Sequence, residues 1–198
     1  KNLINNKLFQ FQKDVCLWAL KKGRAAIFLD TGLGKTFIQI EWARLISKKT
    51  LIIAPLSVAR QTIREAKKID VDVIYVRHQS EVNGNQIYIT NYEMIEEFDA
   101  AEFDAIVLDE SSILKSIDGK TRRKLIDMFR ETPYKLACTA TPAPNDQSEI
   151  GNHAEFLGIC NMNEMLAMFF VHANKVSEIA LEDGRVLKTK QAGSNGQE

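Results

Sequence analysis

Apolar runs of five or six residues recur along the chain, at 25–29, 50–54, 71–76, 86–90, 105–109 and 135–139. They are rich in Ile, Val, Leu and Ala and largely lack polar alternation, the pattern of strands covered on both faces. Between several of them, at 37–46, 57–68, 92–97 and 120–130, apolar positions fall at helical spacing. Strand and helix in alternation predict an α/β fold with a mostly parallel sheet, helices on both faces and right-handed crossovers. Ligands in such sheets gather at the carboxyl ends of the strands, so the residues just after each run matter most. The rhythm stops after about Ala143. A helical stretch follows, with Phe156, Leu157, Leu166, Phe169 and Phe170 as its apolar positions. Segment 179–187 then predicts a hairpin around Asp183-Gly184, and 193–198 a polar tail. The expected organisation is a main unit over 1–145 and an extension over 146–198.

Composition narrows the class without naming a partner. The chain has 198 residues, enough for a substantial core, and 45% of them are hydrophobic. Lys+Arg 26 balances Asp+Glu 26, so any basic surface must be local. Cys16, Cys138 and Cys160 lie far apart with no paired spacing, against both a zinc site and a disulfide framework. Cys138 lies within an apolar run and is expected in the core. His78, His153 and His172 form no metal-ligand pattern. Without a signal peptide or a membrane-length apolar run, the expected setting is cytoplasmic, in a bacterial or phage-infected cell, with no membrane partner.

The densest chemistry is Asp30-Thr31-Gly32-Leu33-Gly34-Lys35-Thr36, between a strand pattern and a helix pattern. Gly32 and Gly34 let the backbone turn so that successive N–H groups face a polyphosphate, and the helix N-terminus adds its dipole. Lys35 can reach the β/γ-phosphates, and Thr36 can offer a hydroxyl to Mg²⁺. The full phosphate-loop pattern opens on glycine, whereas Leu29 stands there. The loop predicts nucleoside triphosphate binding. At the end of another strand pattern come Asp109-Glu110-Ser111-Ser112. Asp109 can hold magnesium opposite Thr36, and Glu110 can orient or deprotonate the attacking water. Adjacent acids at a strand end are also ordinary solvation; the preceding phosphate loop is what favours catalysis. Thr139-Ala140-Thr141-Pro142 offers hydroxyls at a strand end that could respond to the γ-phosphate, although alone it reads as turn chemistry. Two basic groups stand out: Arg60, Arg64, Lys67 and Lys68, and Lys115, Lys120, Arg122, Arg123 and Lys124. Either could neutralise phosphates, and the second reads equally as a solvated helix face.

In order along about 8–170, these segments resemble helicase superfamily two, and within it the SNF-type ATPases and their phage-encoded relatives. Phe11-Gln12 with Trp18 resembles the upstream glutamine motif that reads adenine, with Gln12 as the matching residue; Phe9 stands where an arginine is frequent. Thr31–Thr36 resembles motif I, and Asp109–Ser112 the Asp-Glu box. Ile53-Ala54-Pro55-Leu56-Ser57 resembles motif Ia and Ile89-Thr90-Asn91-Tyr92-Glu93 motif Ib. Thr139–Pro142 resembles motif III, and its continuation to Asn145 and Glu155-Phe156-Leu157 is similar to the SNF branch.

The resemblance implies a RecA-like P-loop NTPase lobe, the N-terminal lobe of an ATP- and Mg²⁺-dependent DNA helicase or translocase. It implies nucleotide contacts from Gln12, Thr31, Gly32, Leu33, Gly34, Lys35 and Thr36, and catalysis by Lys35, Asp109 and Glu110. Thr36 and Asp109 would hold the metal, Thr139 and Thr141 would couple, and Arg60, Thr90 and Asn91 would meet nucleic acid, double-stranded DNA above all. Family members hydrolyse ATP between two such lobes, with arginine fingers from the second. No second alternation or finger motif occurs over 143–198, so a second RecA-like lobe is expected elsewhere in the gene product or in another chain. The rival readings are a non-hydrolysing ATP- and nucleic-acid-binding clamp and a P-loop ATPase of another lineage with a protein substrate.

Overall fold

A computed structural model describes residues 4–84, 86–111, 114, 119–142, 150–161, 164, 176–180 and 186–190. The chain enters through helix α1 (Gln10–Lys22) and strand β1 (Arg24–Phe28), then α2 (Lys35–Ile46), β2 (Thr50–Ala54), α3 (Leu56–Lys68) and β3 (Val73–Tyr75). There follow β4 (Ile87–Asn91), a 3₁₀ turn at Tyr92–Glu97, β5 (Ala105–Asp109), α4 (Gly119–Met128), β6 (Tyr134–Thr139) and α5 (Ile150–Leu157). The strands form one six-stranded sheet in the order β1-β6-β5-β2-β4-β3, and every neighbouring pair is parallel.

The expected strand–helix alternation is present throughout this unit. Element ends move by one or two residues, as at β3, where the apolar run is longer than the paired strand. The segment over 92–97 is helical, but as a 3₁₀ turn. Helix α1 is not among the helices that the apolar spacing predicts. Apart from its buried Gln12, Cys16 and Ala19, this helix leaves Phe11, Leu17 and Trp18 exposed, so its apolar residues misreport which side is inside. Strands β7 (Val176–Ala180) and β8 (Val186–Lys190) pair antiparallel, as the expected hairpin requires. Its Asp183-Gly184 turn, the tail, and Leu166, Phe169 and Phe170 lie outside the described residues.

Alternation along the strands sorts the core into two layers. Ile27, Ile52, Ile89, Val107, Leu136 and Cys138 meet Cys16 and Ala19 of α1, Ile38 and Trp42 of α2, and Ala59 and Ala66 of α3. On the other face Leu51, Ile53, Tyr88, Ile106, Leu108 and Ala137 meet Tyr92, Phe98, Phe103, Leu125, Phe129, Phe156 and Leu157. Asp109 falls on the first face by this alternation and so faces α2. The register is equally consequential: Asp109 pairs with Cys138, and Cys138 with Ile27. The end of β5, the end of β6 and the start of the glycine loop therefore lie at one level of the carboxyl edge.

Candidate active site

The glycine loop is held by its own backbone and by two neighbours. Leu29 N–H donates to the Thr139 carbonyl (3.2 Å), and Leu33 N–H to the Asp30 carbonyl (3.4 Å). Asp30 Oδ1 accepts from Thr31 N–H at 2.7 Å. Gly32 and Gly34 take φ of 84° and 75°, a region that costs other residues about 1–2 kcal/mol. Gly34 is the N-cap of α2 and among the described residues no side chain caps that helix, so a ligand can take up the first-turn amides. Gln12, only 3% exposed, donates from Nε2 to the Leu33 carbonyl (3.1 Å) and accepts from Phe9 N–H (2.9 Å). A Cβ at Gly34 would stand 2.2 Å from that Nε2. Gln12 thus lies against the loop backbone with both ends of its amide engaged.

Lys35 and the two acids come together as expected. Lys35 Nζ is 3.4 Å from Glu110 Oε1, a half-buried pair that bridges the loop and the end of β5. Asp109 is 3% exposed. Its Oδ2 accepts from Gln39 Nε2 at 2.9 Å and its Oδ1 from Glu110 N–H at 3.1 Å. Burial raises the Asp109 carboxyl above its ordinary range, against the Gln39 hydrogen bond and the Lys35 charge. A divalent cation beside it would offset that desolvation. Asp109 and Thr36 supply hard oxygens, the donor type Mg²⁺ takes alongside substrate phosphates, so the residues present fit that ion. Glu110 takes a φ of 54°, sparsely populated for a residue with a side chain. Tyr92 donates its hydroxyl to the Asp109 carbonyl (2.9 Å), and Ser111 N–H donates to the Cys138 carbonyl (2.9 Å), fixing the backbone on both sides of that conformation. Ser112 lies outside the described residues.

Thr139 and Thr141 are placed beside the loop. Thr139 Oγ1 accepts from Thr141 N–H at 3.1 Å, and the Thr139 carbonyl is the one that holds Leu29. His153 reaches the same corner, with Nε2 3.2 Å from the Pro142 carbonyl and its ring 5.3 Å from that of Phe28. Burial lowers the pKa of His153; since a carbonyl can only accept, the contact with Pro142 is a donation from Nε2. Gln39, Tyr92 and His153 were absent from the sequence-derived site. The only signal was a polar or hydroxylated residue on an otherwise apolar face.

The expected nucleic-acid residues separate. Arg60 is exposed on α3, and Arg64, Lys67 and Lys68 continue along the same exposed face at i+4, i+7 and i+8. Thr90 and Asn91 do not line an exposed surface. They end β4, an interior strand, with Thr90 fully buried and Asn91 6% exposed. Asn91 Oδ1 accepts from the Tyr75 hydroxyl (2.7 Å), and its Nδ2 donates to Glu93. Both side chains are buried on this interior strand, a consequence of strand position that the local motif does not convey. In the second basic group Arg122 donates to the Leu114 carbonyl (3.4 Å) and Lys124 pairs with Glu96 (2.5 Å). Lys115 and the side chain of Lys120 are outside the described residues. Cys138 is buried, as expected. Among the described residues no helix is long and apolar enough to cross a membrane.

Residues 2–144 match the family described as "Type III restriction enzyme, res subunit". The SWI/SNF-related matrix-associated actin-dependent regulator of chromatin subfamily A-like protein 1 of Xenopus laevis is 30% identical over 162 residues, 75% of this chain and 17% of that protein. The human DNA annealing helicase and endonuclease ZRANB3 is 25% identical over 170 residues, 76% of this chain and 16% of its own length. The chain thus spans about one sixth of these relatives. Among solved structures, the Sulfolobus solfataricus SWI2/SNF2 ATPase core in complex with dsDNA matches with a TM-score of 0.70 at 21% identity, over 84% of this chain and 39% of that one. The UvsW helicase from bacteriophage T4 matches with a TM-score of 0.59 at 16% identity, over 77% of this chain and 58% of that one. With 143 of its 198 residues in the family match, on the six-stranded parallel sheet that it shares with these ATPase and helicase cores, the chain belongs to the Type III restriction enzyme res-subunit family.

Proposed function

We propose that this chain is the nucleotide-binding motor lobe of an ATP-dependent DNA helicase or translocase. The observation that carries the reading is the convergence of the glycine loop, Lys35, Asp109 and Glu110 at one level of the sheet edge. The loop amides and Lys35 bind the β- and γ-phosphates of ATP; Gln12, Thr31, Gly32, Leu33 and Gly34 shape that cradle. When bound, Mg²⁺ neutralises phosphate charge in the transition state, and Thr36 and Asp109 are the residues that would hold it. Glu110 takes the proton of the attacking water. Its contact with Lys35 must loosen when phosphates arrive to claim the ammonium. Thr139 and Thr141 share a backbone corner with the loop and so can carry its movement into the sheet. The exposed Arg60 stripe meets the backbone of double-stranded DNA by charge rather than by base.

The relatives and the ATPase core bound to dsDNA support this reading over a non-hydrolysing clamp. ATPase assays on the complete gene product with duplex DNA, single-stranded DNA, RNA or no nucleic acid test it. Stimulation by duplex DNA is expected; ATP binding without turnover would favour the clamp. Lys35→Ala is expected to weaken ATP binding in calorimetry, and equal affinity would count against the cradle.

A further inference from the structure

We propose that Gln39 is a positioning residue for Asp109, holding that carboxylate where magnesium engages it. The proposal rests on the nucleotide-site reading above. Gln39 lies on α2 three residues after Thr36, hence near the same helix face, and is fully buried. Its Nε2 donates to Asp109 Oδ2 at 2.9 Å, while its Oε1 is buried without a hydrogen-bond partner among the described residues. The orientation of the amide follows from that contact, because the flipped amide would press Oε1 against a carboxylate oxygen. Burying an amide with its acceptor bare is unfavourable, and a methionine could occupy the same space without that penalty. The feature that justifies an amide here is the hydrogen bond to Asp109. With Glu110 N–H on Oδ1 (3.1 Å), that bond fixes the carboxylate at both oxygens and leaves the remaining lone pairs for a cation. Hydrogen-bond partners of metal-binding carboxylates orient them in this way.

The test measures binding of a non-hydrolysable ATP analogue to the whole chain across a magnesium titration and in EDTA. In the parent, magnesium is expected to tighten binding. Gln39→Met is expected to leave the affinity in EDTA unchanged and to raise the magnesium concentration for half-maximal tightening by about 10–100-fold. An unchanged magnesium midpoint, or an equal loss with and without the ion, would overturn the proposal. A parent insensitive to magnesium would instead sink the metal-site reading beneath it, and the proposal with it. Should Gln39→Met fail to fold, the side-chain amide resonance of Gln39 in the unmodified chain decides. It is expected to shift when magnesium is added to the analogue-bound protein, and a resonance that stays in place rejects the role.

Discussion

Gly34 concentrates three demands on one residue. It caps α2 in a left-handed conformation, carries the turn of the loop, and leaves no room for a Cβ against Gln12. Gly34→Ala is expected to cost about 1–2 kcal/mol in backbone strain alone and to displace Gln12 from the Leu33 carbonyl. Thermal unfolding and nucleotide titration should both register it; an unchanged loop affinity would show that Gln12 is dispensable. Glu110→Gln keeps size and removes the base, so a two-lobed protein carrying it should bind ATP and fail to turn it over. Undiminished turnover would return Glu110 to plain strand-end solvation.

Lys135 makes a different point at the same scale. Its Nζ is buried, donating to the carbonyls of Arg130 (3.2 Å) and Phe156 (3.1 Å). Burial first, then the Arg24 charge, lowers its pKa to about 8. Between that value and its ordinary 10.5 the unfolded chain binds more protons than the folded one, so this group makes stability rise with pH across the window. The shift corresponds to roughly 3 kcal/mol in total. Denaturation of parent and Lys135→Met from pH 7 to 10.5 should show that extra slope in the parent alone.

At the scale of elements, α3 presents Arg60, Arg64, Lys67 and Lys68 along one exposed face. Arg60→Ala is expected to weaken DNA binding similarly for unrelated sequences and to reduce the salt slope by about one phosphate contact. A sequence-selective loss would count against a backbone-tracking stripe. The buried strands were legible because β2, β5 and β6 are interior, and an interior strand writes a continuous apolar run. The phosphate loop and the Asp-Glu pair were legible because their chemistry requires particular residues next to such runs. Helix α1 was not, since Gln12 and two small residues face inward while larger apolar residues face out. The burial of Thr90 and Asn91 was not legible, because exposure depends on what packs over β4, which no local window contains. Gln39 was hidden for a related reason: its partner Asp109 is 70 residues away and meets it only once β5 is set against α2.

For the whole molecule, the sheet's two edges divide the work. At the amino edge Arg24 holds the carbonyls of Thr132, Pro133 and Leu157 while Lys135 holds that of Phe156, anchoring the end of α5. Toward the carboxyl edge His153 of the same helix reaches Pro142. One helix therefore spans from a fixed anchor to the corner beside the phosphate loop. In the proposed reading the loop, Lys35 and both acids are one wall of a nucleotide site, with Glu110 still partly open to solvent. A single wall should bind ATP weakly and turn it over slowly, and DNA should hardly change the rate, because stimulation requires a second wall to close. If a second RecA-like lobe that supplies arginine fingers is joined to this one, DNA-stimulated turnover should rise by about three to five orders of magnitude. The measurement is the ATPase rate of residues 1–198 against the extended gene product, each with saturating duplex DNA. Equal rates would mean that this lobe carries a complete active site, and a divided one would have to be abandoned.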